Sequence, residues 1–226
     1  VVGQLDDLER RHAAVLLGAA RPVFGLLASS GLSAALFPEL HRWLAGGADR
    51  LTVLESNLEC LDRLCRSALT PAPALFLAAL FGPGLEEETL ARHREGVPHQ
   101  QAMDAACSRF LGEIAGTVTI PGRIGGQLRR ILALQPSLHR MPPRRPAALA
   151  ARPDFADAIA YLLMTTKTRQ ENRTALAWWQ AYIQSPPGTG PETPAEKVPG
   201  KRRRRRRRRG RPAGQTAAPE DGSQEP

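Results

Sequence analysis

RLTVLESNLECLDRLCRS, residues 50–67, decides the fold class. Leu51, Leu54, Leu58, Leu61 and Leu64 recur at steps of three and four. That spacing lays one apolar stripe along an α-helix.

The same period extends outward from this stretch. Upstream, residues 4–18 place Leu5, Leu8, Val15 and Leu16 at helical spacing, with acids early and bases late, as a helix dipole favours. Arg21-Pro22 opens a segment that Gly31 closes. Residues 32–45 read as a helix interrupted or restarted at Pro38 and stopped by Gly46-Gly47.

Downstream, Thr70-Pro71 opens a helix expected to end at Gly82-Pro83-Gly84. Glu86, Glu87 and Glu88 then open another that runs to Gly96, the three acids fanning into solvent at its first turn. Residues 98–115 turn Met103, Ala106, Phe110 and Ile114 inward. A helix from Pro121 to Leu134 follows, then a loop carrying Pro136, Pro142, Pro143 and Pro146. Pro153 begins the longest candidate, 153–183, in which Phe155, Ile159, Leu162, Leu163, Thr166, Leu176, Trp179 and Ile183 keep the period. GTVTIPG (116–122) alternates briefly, but its Pro and Gly argue for a loop. The expected fold is therefore all-α, a helical bundle of short antiparallel helices with short connections.

Charge divides the chain differently. Lys201, Arg202, Arg203, Arg204, Arg205, Arg206, Arg207, Arg208, Arg209 and Arg211 face only Glu220, Asp221 and Glu225 after residue 200, a net +7. Residues 1–200 are nearly balanced at +2, so the pI of 10.6 belongs to the end of the chain. From Ser185 the sequence turns to Pro, Gly and small polar residues, with too little apolar surface to offset chain entropy. Residues 184–226 are expected to be a disordered basic C-terminal tail whose partners are polyanions, nucleic acid before anionic membrane.

Several classes of function find no support. Cys60, Cys65 and Cys107 form no even framework and no metal spacing, and read as buried or half-buried thiols of a reducing, cytoplasmic compartment. His12, His41, His93, His99 and His139 are scattered. Asp6-Asp7 is an adjacent pair rather than the Asp-x-Asp that holds two metals. Gly122, Gly125 and Gly126 follow no strand and close on no Gly-Lys-Ser/Thr, so they make no phosphate loop. The longest apolar run, ALFLAALFGPG (74–84), is too short to span a bilayer, and no membrane partner is expected. The chain opens Val1-Val2-Gly3 rather than with Met, and residue 1 is not expected to be a natural start.

PGRIGGQLRRIL (121–132) offers more. With Ile124, Leu128, Ile131 and Leu132 inward, Arg123, Arg129 and Arg130 lie largely on other faces. Arg140, Arg144 and Arg145 follow, and no acid occurs from Thr117 to Arg152. This is either a solvated basic face or a phosphate-contacting one. Trp178-Trp179 reads as packing, one indole inward and the other over the neighbouring turn, with base stacking the alternative.

In their order, TPAPALFLAALF (70–81), QAMDAACSRF (101–110), IPGRIGGQLRRILALQPSL (120–138), RPDFADAIAYLLM (152–164), ENRTALAWWQAY (171–182) and the terminal arginine block resemble the C-terminal part of bacterial poly(A) polymerases, relatives of the tRNA nucleotidyltransferases. The resemblance covers roughly residues 20–211. It implies a helical neck and body over 1–115, an arginine-rich helical RNA-binding region over 116–183, and a polyarginine tail over 184–226. It also implies a partner in RNA, bound at single-stranded 3′ ends largely without regard to sequence. In that family an N-terminal head carries a Gly-Ser motif and paired carboxylates for ATP and Mg2+ and adds AMP to RNA 3′ ends. No Gly-Ser…Asp-x-Asp set occurs here, so ATP and Mg2+ are implied for a head outside this chain and no catalytic residue is carried over. The alternative is a freestanding, non-enzymatic helical RNA-binding adaptor. A third reading gives the polyarginine an anionic lipid or a localisation role, which the Pro and Gly around it disfavour.

Overall fold

The structure, a computed structural model, describes residues 18–67, 71–170 and 172–185. The helix expected over 4–18, the Asp6-Asp7 pair and the tail from Lys201 to Arg211 lie outside the described residues. Ten helices and no strand occur among the described ones. They are α1 (Ala20–Ser29), α2 (Leu32–Leu36), α3 (Pro38–Ala45), α4 (Ala48–Arg66), α5 (Pro73–Arg94), α6 (His99–Ile114), α7 (Gly122–His139), α8 (Pro146–Ala150), α9 (Phe155–Thr165) and α10 (Asn172–Gln184). The all-α reading holds. Among the described residues no helix is long and apolar enough to cross a membrane.

α5 is the central element, packing against α4, α6, α7 and α9. Four residues join it to α6, and Gly96 in that link takes φ 94°, a left-handed conformation that glycine adopts without steric cost. Helices that pack along each other across so short a link are antiparallel. The main core collects Leu54, Leu58 and Leu61 of α4, Leu75, Ala78 and Ala79 of α5, Met103, Ala106 and Phe110 of α6, Leu128 and Ile131 of α7, and Tyr161 and Met164 of α9. Of the opening leucine stripe, Leu64 is half-buried and Leu51 is exposed, because it sits in the first turn of α4 at the rim. A second, smaller core gathers Leu134 and Leu138 of α7, Phe155, Ala158 and Leu162 of α9, and Leu176 and Trp179 of α10.

α1 begins without a capping side chain of its own. The backbone N–H groups of Ala20 and Arg21 instead donate to the Asp62 carboxylate of α4, at 2.6 and 3.1 Å. A distant acid thus satisfies two of the orphan donors every helix start leaves open, and pins α1 to α4.

Three boundaries differ from the sequence reading. Gly82-Pro83-Gly84 ends no helix, and α5 runs through it to Arg94. Pro83 offers no N–H to the Ala79 carbonyl four residues back. The buried Asn57 side chain of α4 supplies that bond instead, at 3.4 Å. The flanking glycines serve close packing: the Tyr161 ring lies against Gly82, and the Trp43 indole against Gly84. Similarly, α7 continues past Leu134 and through Pro136 to His139, so the expected loop starts only at Arg140.

The third difference is the reverse case. The long helix expected over 153–183 is two helices, α9 and α10, with a turn over 166–170 after α9. Thr165, Thr166 and Thr168 each turn a hydroxyl onto the carbonyl three residues back, at 2.9, 2.7 and 3.3 Å. Such side-chain bonds offer the backbone an alternative to the helical ladder. Asn172 then bonds Thr165 Oγ1 at 2.8 Å, and α10 folds back along α9. Ile183, assigned to the buried stripe, is exposed as a result.

Candidate nucleic-acid interface

Arginine does two kinds of work in this molecule. Around α3, α5 and α6 it faces carboxylates. Arg109 pairs with Glu88, with Glu39 at 3.1 Å and with Glu113 at 2.8 Å. Arg92 pairs with Glu88 at 2.8 Å, and Arg42 with Glu39 and Glu113. Arg50 reaches Glu87 at 2.9 Å, where Trp43 Nε1 also donates. Arg169, from the turn after α9, reaches the buried Glu86 at 2.7 Å. Glu86, Glu87 and Glu88 are therefore not a solvated first turn. They sit mid-helix because α5 passes through Pro83, and each reaches a different arginine set. Burial pushes the Glu86 carboxyl above its ordinary value while Arg169 pulls it back down. Hydrogen bonds from Arg109 and Arg92 hold Glu88 below its ordinary value. Glu39, Arg42, Glu87, Glu88 and Arg109 line a cleft of about 530 Å3 together with the apolar Leu40, Trp43, Phe81 and Phe110.

The arginines of 117–152 are placed otherwise. Arg123 is exposed at the start of α7, and Arg140, Arg144 and Arg145 are exposed in the connection between α7 and α8. Arg152, just after α8, is exposed too. None of these five forms an ion pair with a carboxylate among the described residues. Arg129 and Arg130 find partners on the body instead, although the Arg130 side chain stays 59 % exposed. Arg129 Nη2 donates to Ser108 Oγ at 3.1 Å. Arg130 grips Asp154 through Nε at 2.6 Å and Nη2 at 3.3 Å. Asp154 lies outside the acid-free run of sequence but folds back onto it.

The candidate arginines thus form no single patch. Seventeen residues of helix, roughly 25 Å, separate Arg123 from Arg140. Arg140, Arg144 and Arg145 follow one another in the connection after α7, and that connection is the stronger candidate for phosphate.

The aromatic pair divides as expected. Trp179 is fully buried and its Nε1 donates to the Leu138 carbonyl at 3.0 Å. Trp178 is half-buried and lies parallel to Tyr182, with ring centroids 5.4 Å apart and planes 10° from parallel. Tyr182 was not singled out in the sequence. Its position four residues after Trp178, one turn along the helix, is the signal that finds it.

Other chemistry is weakly provided for. His93 and His99 meet across the α5–α6 link with rings 5.9 Å apart. Even so, no three His, Cys, Asp or Glu side chains converge to hold a metal among the described residues. Asp154 is engaged by Arg130, and Asp157 accepts from Gln127 at 2.9 Å. These residues do not fit a two-metal ATP site, and no catalytic step is assigned to them. The three cysteines are free thiols, Cys60 and Cys107 buried and Cys65 half-buried. Burial pushes all three upward, Cys107 to about 11, which favours the protonated thiol over the thiolate.

No curated protein matches the chain. A family model described as "Polymerase A arginine-rich C-terminus" matches residues 95–212, just over half of the 226, from the end of α5 through the polyarginine block. The chain therefore belongs to the family of arginine-rich C-terminal regions of poly(A) polymerase.

Proposed function

We propose that this chain is the RNA-gripping part of a poly(A) polymerase-type nucleotidyltransferase. The whole enzyme adds AMP to RNA 3′ ends in the cytoplasm, with ATP and Mg2+ handled by a catalytic head that this part joins. The observation that carries the reading is a family match that unites the helical region 95–185 with the arginine block 201–211. The exposed, acid-free arginines Arg140, Arg144 and Arg145 support it from within that region.

The division of labour follows from the chemistry. A guanidinium presents a planar fork that pairs bidentately with phosphate and also stacks on bases. Phosphate contacts are blind to sequence, which suits a protein that must accept many 3′ ends. The arginine block captures RNA, and the helical body fixes where the captured strand lies.

Salt dependence tests this. Ten basic residues engaged on single-stranded RNA give log K against log salt a slope of about −7. Deleting residues 200–211 should remove that contribution and leave about −2 from the three arginines after α7. A slope unchanged by the deletion would remove the tail from the mechanism. ATP incorporation into RNA by the native protein tests the polymerase part. A native species of 24.5 kDa that binds RNA without incorporating ATP would instead establish the freestanding adaptor.

A further inference from the structure

We propose that the Trp178–Tyr182 pair is a base-stacking platform for single-stranded RNA, fed by the arginines between α7 and α8. This rests on the RNA-binding reading and goes further, because it names a residue pair that touches bases rather than phosphates.

Placement is the first argument. The second core is covered by Met141 and Leu149 from one side of the sequence and by Trp178 and Tyr182 from the other. Met141 directly follows Arg140, and Leu149 follows Arg144 and Arg145 within two turns of chain. The arginine-bearing connection and the aromatic pair therefore pack on the same small core. The bond from Trp179 Nε1 to the Leu138 carbonyl ties α10 to the end of α7, two residues before Arg140.

Geometry is the second. Trp179 stands edge-on to both rings, at 5.0 Å from Trp178 and 5.7 Å from Tyr182, and so braces the pair from beneath. Phe155 in turn packs edge-on to Trp179 at 5.3 Å. Trp178 and Tyr182 each stay partly open, and their neighbour Ile183 is 55 % exposed. Trp179 already fills the core and satisfies its N–H, whereas Trp178 Nε1 has no hydrogen-bond partner among the described residues. An aliphatic side chain would cover the same core without burying an indole nitrogen.

Recognition of a single strand combines a cationic track for the backbone with aromatic rings on which bases stack, each stacked base being worth enough to change affinity measurably. Here the track is Arg140, Arg144 and Arg145, and the rings are one turn apart on α10. Because every base has a π-face, the platform holds RNA without reading its sequence.

The test uses the full chain and a short single-stranded RNA, beside a ribose-phosphate strand of equal length that lacks bases. The wild type should bind the RNA about tenfold more tightly than the baseless strand at equal salt, with equal salt slopes. Trp178→Leu with Tyr182→Leu should erase that preference while leaving the salt slope unchanged, and Tyr182→Phe should retain it. Equal affinity of the wild type for both strands would overturn the platform even if the double variant fails to fold. So would loss of affinity for both strands alike in a variant that melts as the wild type does. Failure to bind either strand would overturn the RNA-binding reading itself.

Discussion

The arginines of α3–α6 and those that follow α7 are one residue type under two rules. Arg42, Arg50 and Arg109 reach Glu113, Glu87, Glu39 and Glu88 across helix boundaries, while Arg92 pairs with Glu88 within α5. Arg140, Arg144 and Arg145 are exposed without carboxylate partners among the described residues. What separates a structural guanidinium from an available one is not local sequence but whether the fold brings an acid to it. Arg130 shows this most sharply. It sits in the acid-free run, yet Asp154 claims it through two hydrogen bonds.

The largest expected effect breaks the paired class at its most buried member. Arg169→Met should cost about 3–5 kcal/mol, because it leaves the Glu86 carboxylate buried without its cation. Denaturant unfolding measures the loss, and adding Glu86→Gln should recover most of it. A buried carboxyl with a raised pKa binds a proton more readily folded than unfolded. The deficit of the single variant should therefore shrink as pH falls from neutral toward the ordinary value of 4.5.

Removing available arginines should act on binding alone. Arg140→Gln, Arg144→Gln and Arg145→Gln together should flatten the RNA salt slope by about 2 and leave the melting temperature within error. Arg42→Gln with Arg50→Gln should do the opposite, lowering stability by no more than about 1 kcal/mol with the slope intact. If both sets move the slope equally, the distinction between paired and available arginines fails.

Two smaller effects sharpen the picture. Gly82→Ala gains helix propensity, but its methyl meets the buried Tyr161 ring, so a net loss of about 1–2 kcal/mol is expected. Glu88 carries the opposite pH sign to Glu86. Its lowered pKa contributes stability above the ordinary value of 4.5, and this is lost as pH falls through the folded value. Arg109→Gln should reduce that acid-side loss in a pH series of melts.

Much of the fold was legible because it is written locally. The stripes of α4 and α6, the restart at Pro38 and the stop at Gly46-Gly47 all follow from helical period and backbone chemistry. The errors have two causes: partners distant in sequence, and side-chain hydrogen bonds that compete locally with the helical ladder. Gly82-Pro83-Gly84 reads as a terminator until Asn57 supplies the bond that Pro83 cannot and two aromatic rings fill the space beside the glycines. The 153–183 stretch reads as one helix until the threonine hydroxyls and Asn172 turn the chain. The same holds for the site. The run 117–152 revealed the arginines, but neither the return of Asp154 to Arg130 nor the 25 Å or so between Arg123 and Arg140 is written there.

The most direct measurement is the salt dependence of single-stranded RNA binding by the intact chain. Phosphate contacts from the arginine block and from the three arginines after α7 together predict a slope between about −7 and −9. A slope shallower than about −2 would mean that neither region grips the backbone, and would contradict the account.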